Sequence, residues 1–107
     1  MRELNEIRLD INQIDDEMQK LFLKRMALSE QVADYKIATG DRVLKPDREQ
    51  ALLEMMCERI PDNLQPEYVS MLKGIIRVSR MHQYSRILAQ NPSILSLPLQ
   101  ERINSPK

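Results

Sequence analysis

The chain has 107 residues and a mass of 12.6 kDa, enough for one small domain with little apolar surface to spare for a core that also hosts charge. Its 16 basic residues balance 16 acidic ones, so bulk charge points to neither nucleic acid nor an anionic membrane, and any bound anion must be held by locally placed cations. One cysteine, Cys57, excludes an internal disulfide, and a composition rich in Leu, Ile, Met, Glu, Gln, Lys and Arg, with two glycines, one phenylalanine and no tryptophan, predicts an all-α protein without a sheet.

The chain opens MRELNEIRLD without an apolar signal segment and has no run long enough to cross a bilayer, so the expected compartment is the cytoplasm. From Leu4 the apolar residues step through Ile7, Ile11, Ile14, Met18 and Leu21 in gaps of three and four, then resume at Leu28 and Val32. That is the period of one helix face. Neither proline nor glycine interrupts it from about Glu3 to Ala38, and Gly40 is a natural C-terminal stop. A helix of roughly 35 residues spans about 50 Å, whereas a compact domain of this size has a radius of gyration of only about 13 Å. The overhanging half still carries its apolar stripe, which predicts an intertwined homodimer whose long helices cover one another.

The slot between the two apolar runs is Arg25. A guanidinium on a buried seam costs on the order of several kcal/mol unless a carboxylate of the protein or of a ligand meets it, which makes Arg25 a site candidate. Lys36 continues the same step four residues past Val32, and Arg8 flanks the stripe near its start.

A loop from Thr39 to Lys45 leads to Pro46, suited to a first helical turn, and DREQALLEMMCERI predicts a second helix to about Ile60, its acidic start favoured by the helix dipole. After the PDNLQP turn, Tyr68, Leu72 and Ile75 or Ile76 mark a third helix that runs to about Gln90. Its stripe turns polar halfway, with Ser79 and Gln83 on the face that the isoleucines open. Residues 1–90 thus form the helical domain. The tail 91–107 carries three prolines and no sustained period and is expected to be an irregular appendage, with Ile94, Leu95, Leu97 and Leu99 available to dock on the bundle; covering the site, meeting a partner enzyme and simple disorder are all open for it.

The inward polar set is therefore Arg25, Lys36, Arg48, Glu49, Ser79 and Gln83. Glu49 is its one carboxylate, which leaves two or three cations uncompensated and predicts a pocket for a small dianion. The sequence offers no nucleophile with a paired base, no metal-ligand cluster and no glycine-rich phosphate loop; Cys57 and His82 each stand alone. An enzyme built this way works without metal or cofactor, by holding its substrate and stabilising charge.

These segments, Ile7-Arg8 through Ile14-Asp15, Lys24-Arg25 through Lys36, Asp47-Arg48-Glu49, and Ile75-Ile76 through Ser79 and Gln83, resemble in order and spacing the all-helical (type II) chorismate mutases over residues 4–90. The resemblance implies an intertwined dimer with two equivalent sites for chorismate. It places Arg25 and Arg8 of the partner subunit on the two substrate carboxylates, Lys36 and Gln83 at the ether oxygen, Glu49 on the ring hydroxyl, and Ser79 and Arg48 near the carboxylates. Where many relatives have an aspartate four residues before this glutamate, the chain has Lys45, which is expected to alter hydroxyl recognition. The reaction implied is the rearrangement of chorismate to prephenate on the way to phenylalanine and tyrosine, by a monofunctional enzyme because the chain stops soon after the matching region. Two further readings remain open: an isochorismate pyruvate lyase, which shares the fold and much of the pocket, and a non-catalytic helical module whose seam charges set dimer register.

Overall fold

A computed structural model of the chain describes residues 1–90, and the expectations for the tail 91–107 lie outside them. Three helices carry the fold: α1 from Leu4–Thr39, α2 from Pro46–Cys57 and α3 from Gln65–Gln90, with a 3-10 turn at Asp62–Leu64 before α3. No strand occurs among the described residues. The molecule measures 59 × 26 × 21 Å with a radius of gyration of 17.7 Å, so α1 sets its long axis as the uninterrupted period predicts.

Helix ends follow local chemistry. Gly40 adopts a left-handed conformation (φ 75°) after α1, and its N–H and that of Asp41 both turn back to the Lys36 carbonyl. A side chain at Gly40 would be strained there. Pro46 opens α2 as expected, but α2 ends at Cys57 rather than near Ile60. Pro61 has no N–H to give the Cys57 carbonyl and disfavours helix at the residue before it, and the Gln65 side chain instead donates to the carbonyls of Cys57 (3.2 Å) and Ile60 (3.1 Å), satisfying acceptors that the ended helix leaves open. Pro66 then sits in the first turn of α3, which starts three residues before Tyr68.

The seam between α1 and α3 is displaced by one residue from the face that the apolar stripe suggests. Leu28 (58 % exposed) and Val32 (43 %) do not pack against α3, whereas Met26, Ser29 and Ala33 are buried there. Small residues let the helices approach closely: the Ser29 and Ser79 hydroxyls lie 2.6 Å apart and Ala33 is fully enclosed. Arg25 accordingly flanks the seam and is partly buried, instead of lying in it. Val43, from the loop before α2, inserts between Ala33 and Ile87 and completes a small core with Ile37, Tyr84 and Leu88 around it. Opposite this core, Glu30 and Asp34 of α1 clasp α3: Arg86 forks onto Asp34 (2.8 and 3.0 Å), Gln90 donates to Asp34, and His82 meets Glu30 at 2.8 Å. The Arg86 hydrogen bond holds the Asp34 carboxyl below its ordinary value, and that same bond pushes the Arg86 guanidinium up.

Among the described residues, the other half of α1 has no such contacts. Every residue from Met1 to Lys24 is exposed, including Leu4, Ile7, Ile11, Ile14, Met18 and Leu21.

Candidate functional site

All three helices and the loop before α2 line a cavity of about 520 Å³ that is open to solvent on one side. The line Arg25, Leu28, Val32, Lys36, displaced from the seam, forms one wall, so the stripe on this half of α1 faces a cavity instead of α3. The loop contributes Asp41, Val43 and Lys45; α2 contributes Arg48, Glu49 and Leu52; and α3 contributes Ile76, Ser79, Arg80 and Gln83. Seven of the eight residues singled out from the sequence meet here. The eighth, Arg8, is exposed on the free half of α1, about 25 Å away along the helix axis from Arg25.

At one side of the cavity a polar chain runs from α1 to α3. Lys36 Nζ donates to the Val43 carbonyl (3.0 Å) and to Gln83 Oε1 (3.2 Å), which leaves one of its three N–H groups for a ligand. Gln83 Nε2 reaches Ser79 Oγ only at 3.5 Å, and Ser79 Oγ is itself held by Ser29 at 2.6 Å. Two donors, the third ammonium proton and the long-bonded amide, are thus fixed side by side by buried partners. Burial pushes the Lys36 ammonium below its ordinary value, and Lys45 nearby adds to the effect; Asp41 and Glu49 oppose it.

Five cations line the cavity, Arg25, Lys36, Lys45, Arg48 and Arg80, against two carboxylates, Asp41 and Glu49. Each acid has a cationic partner. Asp41 pairs with Lys45, whose hydrogen bond is the main cause holding the Asp41 carboxyl below the usual range. Glu49 lies 3.0 Å from Arg80 Nε. Among the described residues, Arg25 and Arg48 have no carboxylate within ion-pair distance; Arg25 and Lys36 are partly buried along the wall, whereas Arg48, expected to point inward, is exposed at the rim because α2 buries none of its residues fully. A buried ion pair, the plain structural explanation of Arg25, is absent among these residues.

Arg80 and Asp41 were not singled out by sequence. Arg80 carries a signal in the sequence, since it follows Ile76 by four residues, which is the spacing of neighbours on one helix face. Asp41 carried none, because a loop has no period. Cys57 does not line the cavity, and His82 belongs to the Glu30 clasp. What the arrangement offers is two hydrogen-bonded donors, one partly buried and one buried, with cations around them, for orienting a dianion and stabilising charge that develops beside Lys36 and Gln83.

No match to the chain was found among curated proteins or solved structures. A family model described as chorismate mutase type II matches residues 7–84, a span that holds every cavity residue, and the chain belongs to that family.

Proposed function

From that membership we propose that the chain rearranges chorismate to prephenate in the cytoplasmic synthesis of phenylalanine and tyrosine, as a homodimer whose two sites each take Arg8 of the partner subunit. The observation that carries this reading is the excess of cations over carboxylates in one cavity, with Lys36 and Gln83 fixed together at its side. Chorismate brings two carboxylates and an enol ether. Arg25 and Arg48 offer forked donors for carboxylate oxygens, and a second chain covering the exposed Leu4 to Leu21 stripe would bring its own Arg8 toward this cavity.

The rearrangement is unimolecular: the ether C–O bond breaks while a C–C bond forms between the enolpyruvyl arm and the ring, with no proton transferred. Partial negative charge gathers on the ether oxygen in the transition state. The remaining Lys36 N–H and the Gln83 amide stabilise that charge more than they stabilise the ground-state ether, which lowers the barrier. Arg25 holds the flexible arm over the ring, supplying orientation. Glu49 accepts the ring hydroxyl.

The test is the loss of chorismate absorbance with purified protein, with isochorismate assayed in parallel for pyruvate release. Turnover of chorismate that disappears in Arg25→Ala supports the reading. Pyruvate released from isochorismate at a higher rate assigns the site to the lyase instead, and a chain inert toward both, whose melting temperature chorismate leaves unmoved, is no enzyme of this class.

A further inference from the structure

Arg80 makes no hydrogen bond of good geometry among the described residues, although its Nε is wholly enclosed by protein. That Nε lies 3.0 Å from Glu49 Oε2, close enough for a strong ion pair but out of line for a hydrogen bond. The pair sits between two cavities. Arg80, Glu49 and Ile76 line the cationic cavity and also, from the other side, a groove of about 510 Å³ between α2 and α3 that contains Lys73 and Arg77. Glu49 therefore stands on a thin partition with cations on both faces, and a flexible glutamate in that position has no inherent reason to point one way. Arg80 is the group that meets it.

We propose that Arg80 is a positioning residue that fixes the Glu49 carboxylate toward the cationic cavity and thereby sets the preference for a substrate bearing a ring hydroxyl. The inference rests on the function proposed above. Of the two carboxylates around the cavity, Asp41 is engaged by Lys45 and by the Arg42 N–H (2.8 Å), so Glu49 is the acceptor left for a hydroxyl. Its pairing with Arg80 does two things. One carboxylate oxygen is tied by the guanidinium, which leaves the other to accept from the ligand, and the positive charge offsets the repulsion that a bare carboxylate would exert on a dianion. Without Arg80 the two cavities merge at this point, and Lys73 and Arg77 draw Glu49 into the outer groove.

The experiment compares chorismate with an analogue that lacks the ring hydroxyl, both followed as substrates, in the full-length protein and in Arg80→Met, Arg80→Lys, Glu49→Gln and the double variant. Arg80→Met is expected to cut the preference for the hydroxylated substrate about tenfold, chiefly through KM, because a site that hydrogen-bonds a hydroxyl discriminates by that bond. Arg80→Lys restores part of the preference. The double variant matches Glu49→Gln alone, since both changes remove the same interaction. An equal loss of turnover on both substrates, or strict additivity in the double variant, overturns the proposal. If Arg80→Met does not fold, Arg80→Gln gives the same readout: a reduced preference supports the role and an undiminished one ends it. Wild-type protein inactive on chorismate would sink the proposed function itself, whereas active wild type, inactive Arg25→Ala and an unchanged preference in Arg80→Met would sink this inference alone.

Discussion

From Leu4 to Leu21, α1 presents leucines, isoleucines and a methionine to solvent, whereas from Met26 onward the same helix buries a serine and an alanine against α3. The half with the larger apolar side chains is the uncovered one. Burial within one chain depends on what lies opposite, and α3 packs against only the second half, where small side chains let the backbones come close. Large apolar residues on the first half suit a partner that arrives from outside. The contrast also explains why the cavity forms where it does: displacement of the seam by one residue leaves Arg25, Leu28, Val32 and Lys36 beside the α1–α3 contact, lining the space shared with α2.

The largest effect is expected at the packed half. Arg25→Ala removes an unneutralised guanidinium from the cavity and should lower kcat/KM by roughly 100- to 1000-fold, a loss in the range of deleting a preorganised charge-stabilising donor, while circular dichroism shows the helices intact. At the free half, Ile14→Glu should abolish self-association in light scattering and take turnover down with it, because the site then lacks Arg8 of the partner subunit. A monomer that keeps full activity after this change would break the proposed link between the two halves.

Titration sharpens the comparison further. Lys36 has its protonated form disfavoured by burial, so kcat/KM should fall as pH climbs through a value below the ordinary lysine range, while the acidic and neutral range stays flat because Gln83 donates at any pH. For stability the sign is opposite: charging Lys36 works against the fold at neutral pH, and that cost fades as pH rises past its folded-state value. Gln83→Glu places a carboxylate beside the Lys36 ammonium and should confine activity to acid, where the new group is protonated; an unchanged pH–rate profile would dissociate Gln83 from the ether oxygen.

The smallest effect is expected at the exposed clasp. Arg86→Ala should leave turnover untouched and lower the melting temperature slightly, as exposed ion pairs contribute little. Asp34, whose pKa Arg86 lowers, lends stability above the unfolded carboxylate value that is lost as pH falls through the folded one, so the variant should show a weaker acid dependence of melting.

Much of this was legible in the residue order. An unbroken run from Glu3 to Ala38, a glycine at 40 and a proline at 46 specify helix, stop and restart through local backbone chemistry, and Arg25 and Lys36 are in register because helix geometry fixes neighbours three and four apart. Ser79 and Gln83 were likewise readable as an inward polar patch, and both are buried. What was not readable depends on a second element. The apolar stripe pointed to Leu28 and Val32 as packing residues, yet Ser29 and Ala33 took that place, since the closest approach of two helices favours small side chains over large ones. Val43 and Asp41 come from a loop without period, and the pairing of Glu49 with Arg80 joins residues far apart in sequence.

The sequence by itself determined three helices, the length that makes α1 outgrow one domain, and a surplus of cations at helical spacing, because each of these depends on neighbours within a few residues. Tertiary structure alone decided which carboxylate meets which cation, which side of α1 touches α3, and that seven of the eight expected side chains ring one cavity while Arg8 stands apart. Those outcomes hang on distances between elements, which steric fit and charge pairing set only once the chain has closed on itself.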